Sequence, residues 1–375
     1  MPENKGTILY VGGFELPDKN AAAHRVLNNA KIFRELGFNV VFCGVNREIT
    51  SDENYTEIIS GFDSIPIPYP ASSKQWIKQL LDSKHYFKMF SLYKDIRIVV
   101  CYNLHSIPLA KIMRFCKKKG IKLVADCTEW YENKFSLNPI KLIKCVDTFL
   151  CMRVFQKKCD GMIAISSYLA DYYKRSVKHI VVVPPLVDLE DEKYNFDCEK
   201  PQNEITTLVY SGSPSSSKEL LGEVVKCLNN ITDLDFRLKI VGIDYEQFCS
   251  MYNTLPDRIK IEFTGRVSHK TALQTVRESD YAIIIRPKTR VTMAGFPTKF
   301  TEAISLGTAV IANDTSDLAD YLKDGNNGCL VDTDNLEKEL RNILMAKKKN
   351  NVNKEQFYYK KYLSLFKKYF GNIGL

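Results

Sequence analysis

Short runs of β-branched and aliphatic residues alternate with helical stretches along almost the whole chain, and this alternation limits the fold more than any single motif. Residues 7–11 form a strand-length run ending in Gly12-Gly13. After a polar loop, Val26, Leu27, Ala30, Ile32, Phe33 and Leu36 recur at helical spacing, Gly37 closes the helix, and a second strand runs over 39–44. A strand, helix, strand order of this kind calls for a parallel sheet. The pattern continues with a strand at 97–102 and a helix at 106–118, then a strand at 122–126 with helical chain after it. A strand at 161–165 with a helix at 167–175, and a strand at 180–183 before Pro184-Pro185, complete the first run.

Residues 189–204 are charged and lack a hydrophobic period, as a linker does. The alternation then restarts: strand 206–210, a turn at Ser211-Gly212-Ser213-Pro214, helix 218–228, strands 237–241 and 261–265, helix 270–279, the isoleucine run 283–285, and late strands at 309–312 and 328–331. A chain of 375 residues has the mass for two cores. The expected division is therefore 1–188, a linker 189–204, a second domain 205–346, and a C-terminal segment 347–375. That segment is basic and aromatic (Phe357, Tyr358, Tyr362, Leu365, Phe366, Tyr369, Phe370) and predicts one amphipathic helix. Its apolar face suits either packing back across the first domain, the reading preferred here, or a membrane surface.

The formal charge of +9 points to acidic partners. Eleven cysteines, an odd number without CxxC spacing, suit reduced thiols in a cytosolic protein. The five histidines show no metal-ligand spacing, no GxSxG, HExxH or P-loop signature occurs, and no apolar run reaches the length of a membrane span. The basic residues are spread without a nucleic-acid-binding motif, which disfavours nucleic acid as a partner.

Open parallel sheets bind ligands beyond the carboxyl ends of their strands. Two such domains facing a central cleft would bring together the loops at Gly12-Gly13, 211–217 and 286–298, with Arg25, Lys218, Arg286, Lys288, Arg290 and Lys299 as nearby cations. The last loop runs from a buried strand to Pro297 at a helix start, a natural anion site. Lys218 reads either as an anion contact at a helix start or as a solvated surface lysine. Arg286 reads as a phosphate contact or a structural ion pair. Glu302 could accept the vicinal hydroxyls of a ribose, or simply pair with Lys299 one turn away. Asp126, Glu129 and Glu132, in CTEWYE after a strand, are candidate acid/base groups.

Assembled in order, these segments resemble the group 1 (family 4-like) retaining, nucleotide-sugar-dependent glycosyltransferases of the GT-B type. The resemblance rests on the GG loop and helix at 12–36, DGMIAISSYLADYY with VVVPPLVD within 160–188, LVYSGSPSSSK at 208–218, KIVG at 239–242, IEFTGRV at 261–267 and AGFPTKFTEAISLGTAVIAN at 294–313. It implies an α/β fold of two Rossmann-like doubly wound domains. It also implies transfer of a sugar from a nucleotide sugar to a glycan or lipid-linked acceptor with retention, in cell-surface polysaccharide or glycolipid synthesis.

Lys218 and Arg286 would then meet the diphosphate as catalytic cations, and Glu129 is a further catalytic candidate. The donor would be bound by Gly12, Gly13, Gly212, Gly265, Arg266, Val267, Pro297, Thr298, Lys299, Phe300, Thr301 and Glu302. His105, Asp126, Thr128 and Glu129 would lie on the acceptor side. The resemblance implies no cofactor and no metal, and a cytoplasmic protein in peripheral contact with the inner face of the membrane. Three positions depart from the family pattern: Ala294 where a second glutamate is usual, Ser213 where an arginine often follows the glycine, and Asp126-Cys127-Thr128-Glu129 where many members carry a histidine. These departures leave room for two other readings, a nucleotide-sugar epimerase or hydrolase on the same scaffold and a nucleotide-sugar-binding partner subunit.

Overall fold

The computed structural model describes residues 4–17, 19–49, 55–132, 138–196, 200–201, 204–215, 217–346 and 350–375. The chain forms two compact units, one comprising residues 1–186 with 359–375 and the other residues 187–358.

In the first unit the strands are β1 (Thr7–Gly12), β2 (Asn39–Cys43), β3 (Val45–Asn46), β4 (Glu57–Ile59), β5 (Phe62–Ser64), β6 (Ile67–Pro68), β7 (Ile96–Tyr102), β8 (Lys122–Cys127), β9 (Gly161–Ala164) and β10 (His179–Val182). Eight of them form a sheet in the order β10-β9-β8-β7-β1-β2-β5-β4, and β3 pairs with β6 in a small ribbon. Pairing is parallel except between β4 and β5. Ile8, Leu9, Tyr10 and Val11 of β1 are all buried. A strand covered on both faces reads as a continuous apolar run, which is why the sequence shows it so clearly. The helix Ala21–Glu35 starts where Asn20 accepts a hydrogen bond from the Ala23 amide at 3.0 Å.

The C-terminal segment does not form the single helix that its spacing predicts. Lys354–Phe357 and Tyr359–Tyr362 are tight 3-10 turns, and an α-helix runs only over Leu363–Asn372. Its aromatic residues serve two different cores, so one helical face cannot satisfy them all. Phe357 packs on Phe296, Phe300 and Tyr321 of the second unit. Phe366 and Phe370 each lie 5.3 Å, ring to ring, from Phe33 in the first. Phe366 is fully buried, which removes the membrane-surface reading of this helix. Gly161 makes room for it: a Cβ there would stand 2.3 Å from the Tyr369 hydroxyl.

The second unit holds β11 (Thr206–Ser211), β12 (Phe236–Val241), β13 (Ile261–Gly265), β14 (Tyr281–Ile284), β15 (Ala309–Asn313) and β16 (Gly328–Val331), all parallel in the order β13-β12-β11-β14-β15-β16. Leu208, Leu238, Ile240, Ile283 and Ile311 from its strands share a core with Val224, Val225 and Leu228 of the helix Leu221–Asn230. That helix begins three residues later than its sequence pattern suggests, so Lys218 lies in the preceding turn.

Lys200 caps the far end of the helix Thr298–Ser305 by donating to the carbonyl of Gly307 at 3.1 Å. Burial pulls its amine down to about 8 from a usual 10.5, against the partial opposition of Asp280. The unfolded chain thus binds this proton more strongly than the folded chain between those values. Stability from this group is lowest below pH 8 and rises as pH climbs toward 10.5. Thermal unfolding of wild type and Lys200→Met from pH 7 to 10 should show a rising component in wild type that the variant lacks.

Candidate active site

At the carboxyl end of β14 the chain leaves the core through Ile285 and Arg286. The Asn313 side chain at the end of β15 accepts from the Arg286 amide (2.9 Å) and donates to its carbonyl (2.8 Å), tying the two strand ends together. The segment that follows is not wholly irregular. Thr289 and Thr292 form a reciprocal cap on a short helix, Arg290–Ala294. The Arg286 guanidinium donates to the carbonyls of Thr292 and Gly295, both at 3.2 Å. Arg286 is 7% exposed. Through Nη1 it staples this loop. Burial lowers its pKa, and the charge of Glu219 opposes that shift.

Pro297 caps the helix Thr298–Ser305. From its first turn Lys299 reaches Glu219 Oε1 at 2.5 Å and the Tyr210 hydroxyl at 2.9 Å, with its Nζ 4.1 Å from the centre of the Tyr210 ring. Tyr210 in turn donates to the other Glu219 oxygen. Burial lowers the Lys299 pKa while Glu219 acts to raise it. Burial and the same carboxylate push the Tyr210 phenol well up. Gly212 has φ +126°, and a Cβ on it would come within 3.2 Å of Lys299 Nζ; a Cβ on Gly242 would stand 2.5 Å from the Gly212 carbonyl oxygen. Both positions therefore need glycine.

Two residues expected to bind donor face the core instead. Phe300 is fully buried against Phe296 and Phe357, and Thr301, also fully buried, donates to the Thr298 carbonyl at 2.9 Å. Lys218 is exposed on its turn. Ala294, at the position of the usual second glutamate, is fully buried. Glu302 lies 3.5 Å from His269 Nε2, a partner that sequence spacing does not reveal. Beside Gly242 an open cavity of about 720 Å3 is lined by Ser213, Pro214, Ile243, Glu246, Gln247, Met251 and Arg266. Gly265 and the exposed Val267 continue the chain on either side of Arg266.

In the first unit, Gly12 has φ +143° and its α-carbon packs so closely on β7 that a Cβ would sit 1.8 Å from the Tyr102 carbonyl oxygen. Gly12 and Gly13 also line a cavity of about 390 Å3 with Arg47, Tyr69, Lys78, His85, Asn103 and His105. His105 Nδ1 is 2.9 Å from Asp147, whose other oxygen accepts the Ser106 amide at 2.7 Å. Burial works against the Asp147 charge, but these hydrogen bonds outweigh it and hold the carboxyl below its usual range. Asp147 fixes the imidazole that faces the cavity, and it lies in a helix that the sequence pattern did not delimit.

Asp126, expected on the acceptor side, is turned into the core and paired there. It is fully buried, with Arg25 Nε at 2.8 Å and the Tyr10 hydroxyl on its second oxygen. Arg25, expected among the ligand cations, also donates to the Val183 carbonyl at 2.8 Å and is 3% exposed. Thr128 is likewise buried and donates to the Tyr102 hydroxyl at 3.3 Å. Glu129 is exposed and hydrogen-bonds to Tyr131. Of the four acceptor-side candidates, His105 is the one that lines the cavity.

Residues 206–346 match the family model described as glycosyl transferases group 1. A sequence search of curated proteins finds no match. Among solved structures, the sucrose-phosphate synthase of Thermosynechococcus elongatus superposes with a TM-score of 0.71 at 13% identity, over 98% of this chain and 99% of that one. The apo lipopolysaccharide outer core galactosyltransferase WaaB gives 0.64 at 17% identity, over 98% and 99%. The Anabaena protein HepE in complex with UDP-glucose gives 0.62 at 11% identity, over 98% and 100%. At these identities the structural likeness speaks to fold, and the family match speaks to the second unit. Residues 206–346 thus form a group 1 glycosyltransferase domain, and the chain as a whole has the GT-B fold of these solved glycosyltransferases.

Proposed function

We propose that the second unit binds a nucleotide-sugar donor and that the first unit holds a glycan or lipid-linked acceptor, to which the sugar passes with retention of configuration. The observation that carries this reading is Lys299 at a helix start, seated against Gly212 at the carboxyl end of β11, where a diphosphate would find an ammonium and backbone N–H groups together. Lys218, on the adjoining turn, is a second cation for the phosphates, and no metal is needed for their charge. Glu302, with His269 beside it, would take the ribose hydroxyls, and the cavity at Arg266 the base. HepE, solved with UDP-glucose, offers a precedent for such a ligand on this fold. In the reaction the acceptor hydroxyl attacks the anomeric carbon on the face from which the nucleoside diphosphate departs, and a phosphate oxygen of the leaving group takes its proton. Cations at the phosphates stabilise the charge that develops there. A thermal-shift screen of nucleotide sugars tests the donor half. The matching donor at a hundred times its Kd should stabilise the fold by about 2.7 kcal/mol, and a panel without any shift would sink the reading.

The helix Pro139–Leu150 supports a membrane-borne acceptor in a cytoplasmic enzyme at the inner membrane face. Ile140, Leu142, Ile143, Val146 and Phe149 on it are each 39–50% exposed. Its lysines, Lys141 and Lys144, are also exposed, while its single acid, Asp147, is turned inward to His105. An apolar arc with cations and no exposed acid suits an anionic lipid surface. The protein should co-sediment with phosphatidylglycerol vesicles and much less with phosphatidylcholine. Val146→Asp with Phe149→Asp should abolish the difference, whereas vesicle binding that survives this double substitution would remove the helix from the contact.

A further inference from the structure

One cation available to a diphosphate in the second unit, Lys299, already faces a carboxylate of the same chain. Glu219 Oε1 lies 2.5 Å from Lys299 Nζ, its other oxygen accepts the Tyr210 hydroxyl, and its side chain is 13% exposed. The turn carrying it is fixed: the Lys218 and Glu219 amides both donate to the Ser215 carbonyl at 3.0 Å, and the Leu220 amide donates to the Ile285 carbonyl at 2.9 Å. Gly212 stands against the same lysine nitrogen. The pair therefore sits at the carboxyl ends of the sheet, where a parallel sheet takes its ligand, rather than on an outer helical face. A carboxylate here cancels the charge of Lys299 and repels any phosphate brought within a few ångströms.

We propose that Glu219 is an internal counter-ion of the donor site. Its carboxylate holds Lys299 before a nucleoside diphosphate arrives, yields the ammonium to the phosphates on binding, and reclaims it as the nucleoside diphosphate product leaves. The cost is weaker donor binding, and the gain is faster product release, a step that limits many transfer enzymes. This inference rests on the second unit being the donor site.

Calorimetric titration of the full chain with UDP and with inorganic pyrophosphate, at pH 7.5, tests it in wild type, Glu219→Gln and Glu219→Ala. Both variants should bind each probe about tenfold more tightly than wild type, with uridine affinity unchanged and UDP release slowed in stopped flow. If wild type binds and both variants bind equally or more weakly, Glu219 merely positions Lys299 and the proposal falls alone. If the variants keep wild-type affinity for pyrophosphate but lose affinity for a nucleotide sugar, Glu219 reads the sugar and the proposal is again overturned. If no form of the chain binds either probe, nor ADP or GDP, the donor-site reading falls with it.

Discussion

Replacing Lys299 by methionine lowers kcat/KM for sugar transfer by at least about a hundredfold, the scale expected when a half-buried cation is removed from a leaving group's charge. The methionine keeps the length of the side chain and its contact with the Tyr210 ring, but removes the ammonium that lies 2.5 Å from Glu219. The single variant also strands a carboxylate, so loss of activity could follow from local rearrangement. Steady-state kinetics on Lys299→Met combined with Glu219→Gln separates the two effects, because this pair leaves no stranded charge. If the double variant remains as inactive as the single one, the ammonium acts on the donor. Recovery to near wild type would make Lys299 a structural partner of Glu219 and nothing more.

Asp126→Asn costs the first unit about 3–5 kcal/mol, as breaking a buried ion pair from one side does. Arg25 is left with an uncompensated charge at 3% exposure, and the Tyr10 hydroxyl loses its carboxylate acceptor. Burial already works against the Arg25 charge, and the attraction of Asp126 more than offsets it. Denaturant unfolding of the variant should show a lower midpoint for the first unit, with much of the loss recovered when Arg25→Met and Asp126→Leu are combined. A variant with unchanged midpoint and abolished turnover would return Asp126 to the acceptor side.

The alternation of strands and helices was legible because most strands of both sheets are covered on two faces and read as unbroken apolar runs, as at residues 283–285. Short strands such as Glu57–Ile59 and Phe62–Ser64, with an exposed residue in each, leave too little pattern to see. The candidate site was legible at its glycines, whose positions follow from strand ends, and at Lys299, which follows the proline of a helix start. Its pairings were not, because they join residues far apart in sequence: Lys299 with Glu219 over 80 positions, His105 with Asp147 over 42, and Arg25 with Asp126 over 101. A carboxylate near a strand end reads the same whether it meets solvent or a buried arginine, so the pairing of Asp126 with Arg25 is invisible in the sequence. Glu219 did carry a signal, an acid directly beside Lys218 in the turn ahead of a helix, but only the reach of Lys299 gives it meaning.

Transfer from a nucleotide sugar is measured as nucleoside diphosphate release from a panel of UDP-, ADP-, GDP- and CDP-sugars, with and without glycan and lipid-linked acceptors. One donor should release its nucleotide only when an acceptor is present, and the sugar should then appear on the acceptor in the donor's anomeric configuration. Release at the same rate without acceptor would make the protein a hydrolase, and a donor that binds without any release would make it a binding subunit; either result rules out transfer as its activity.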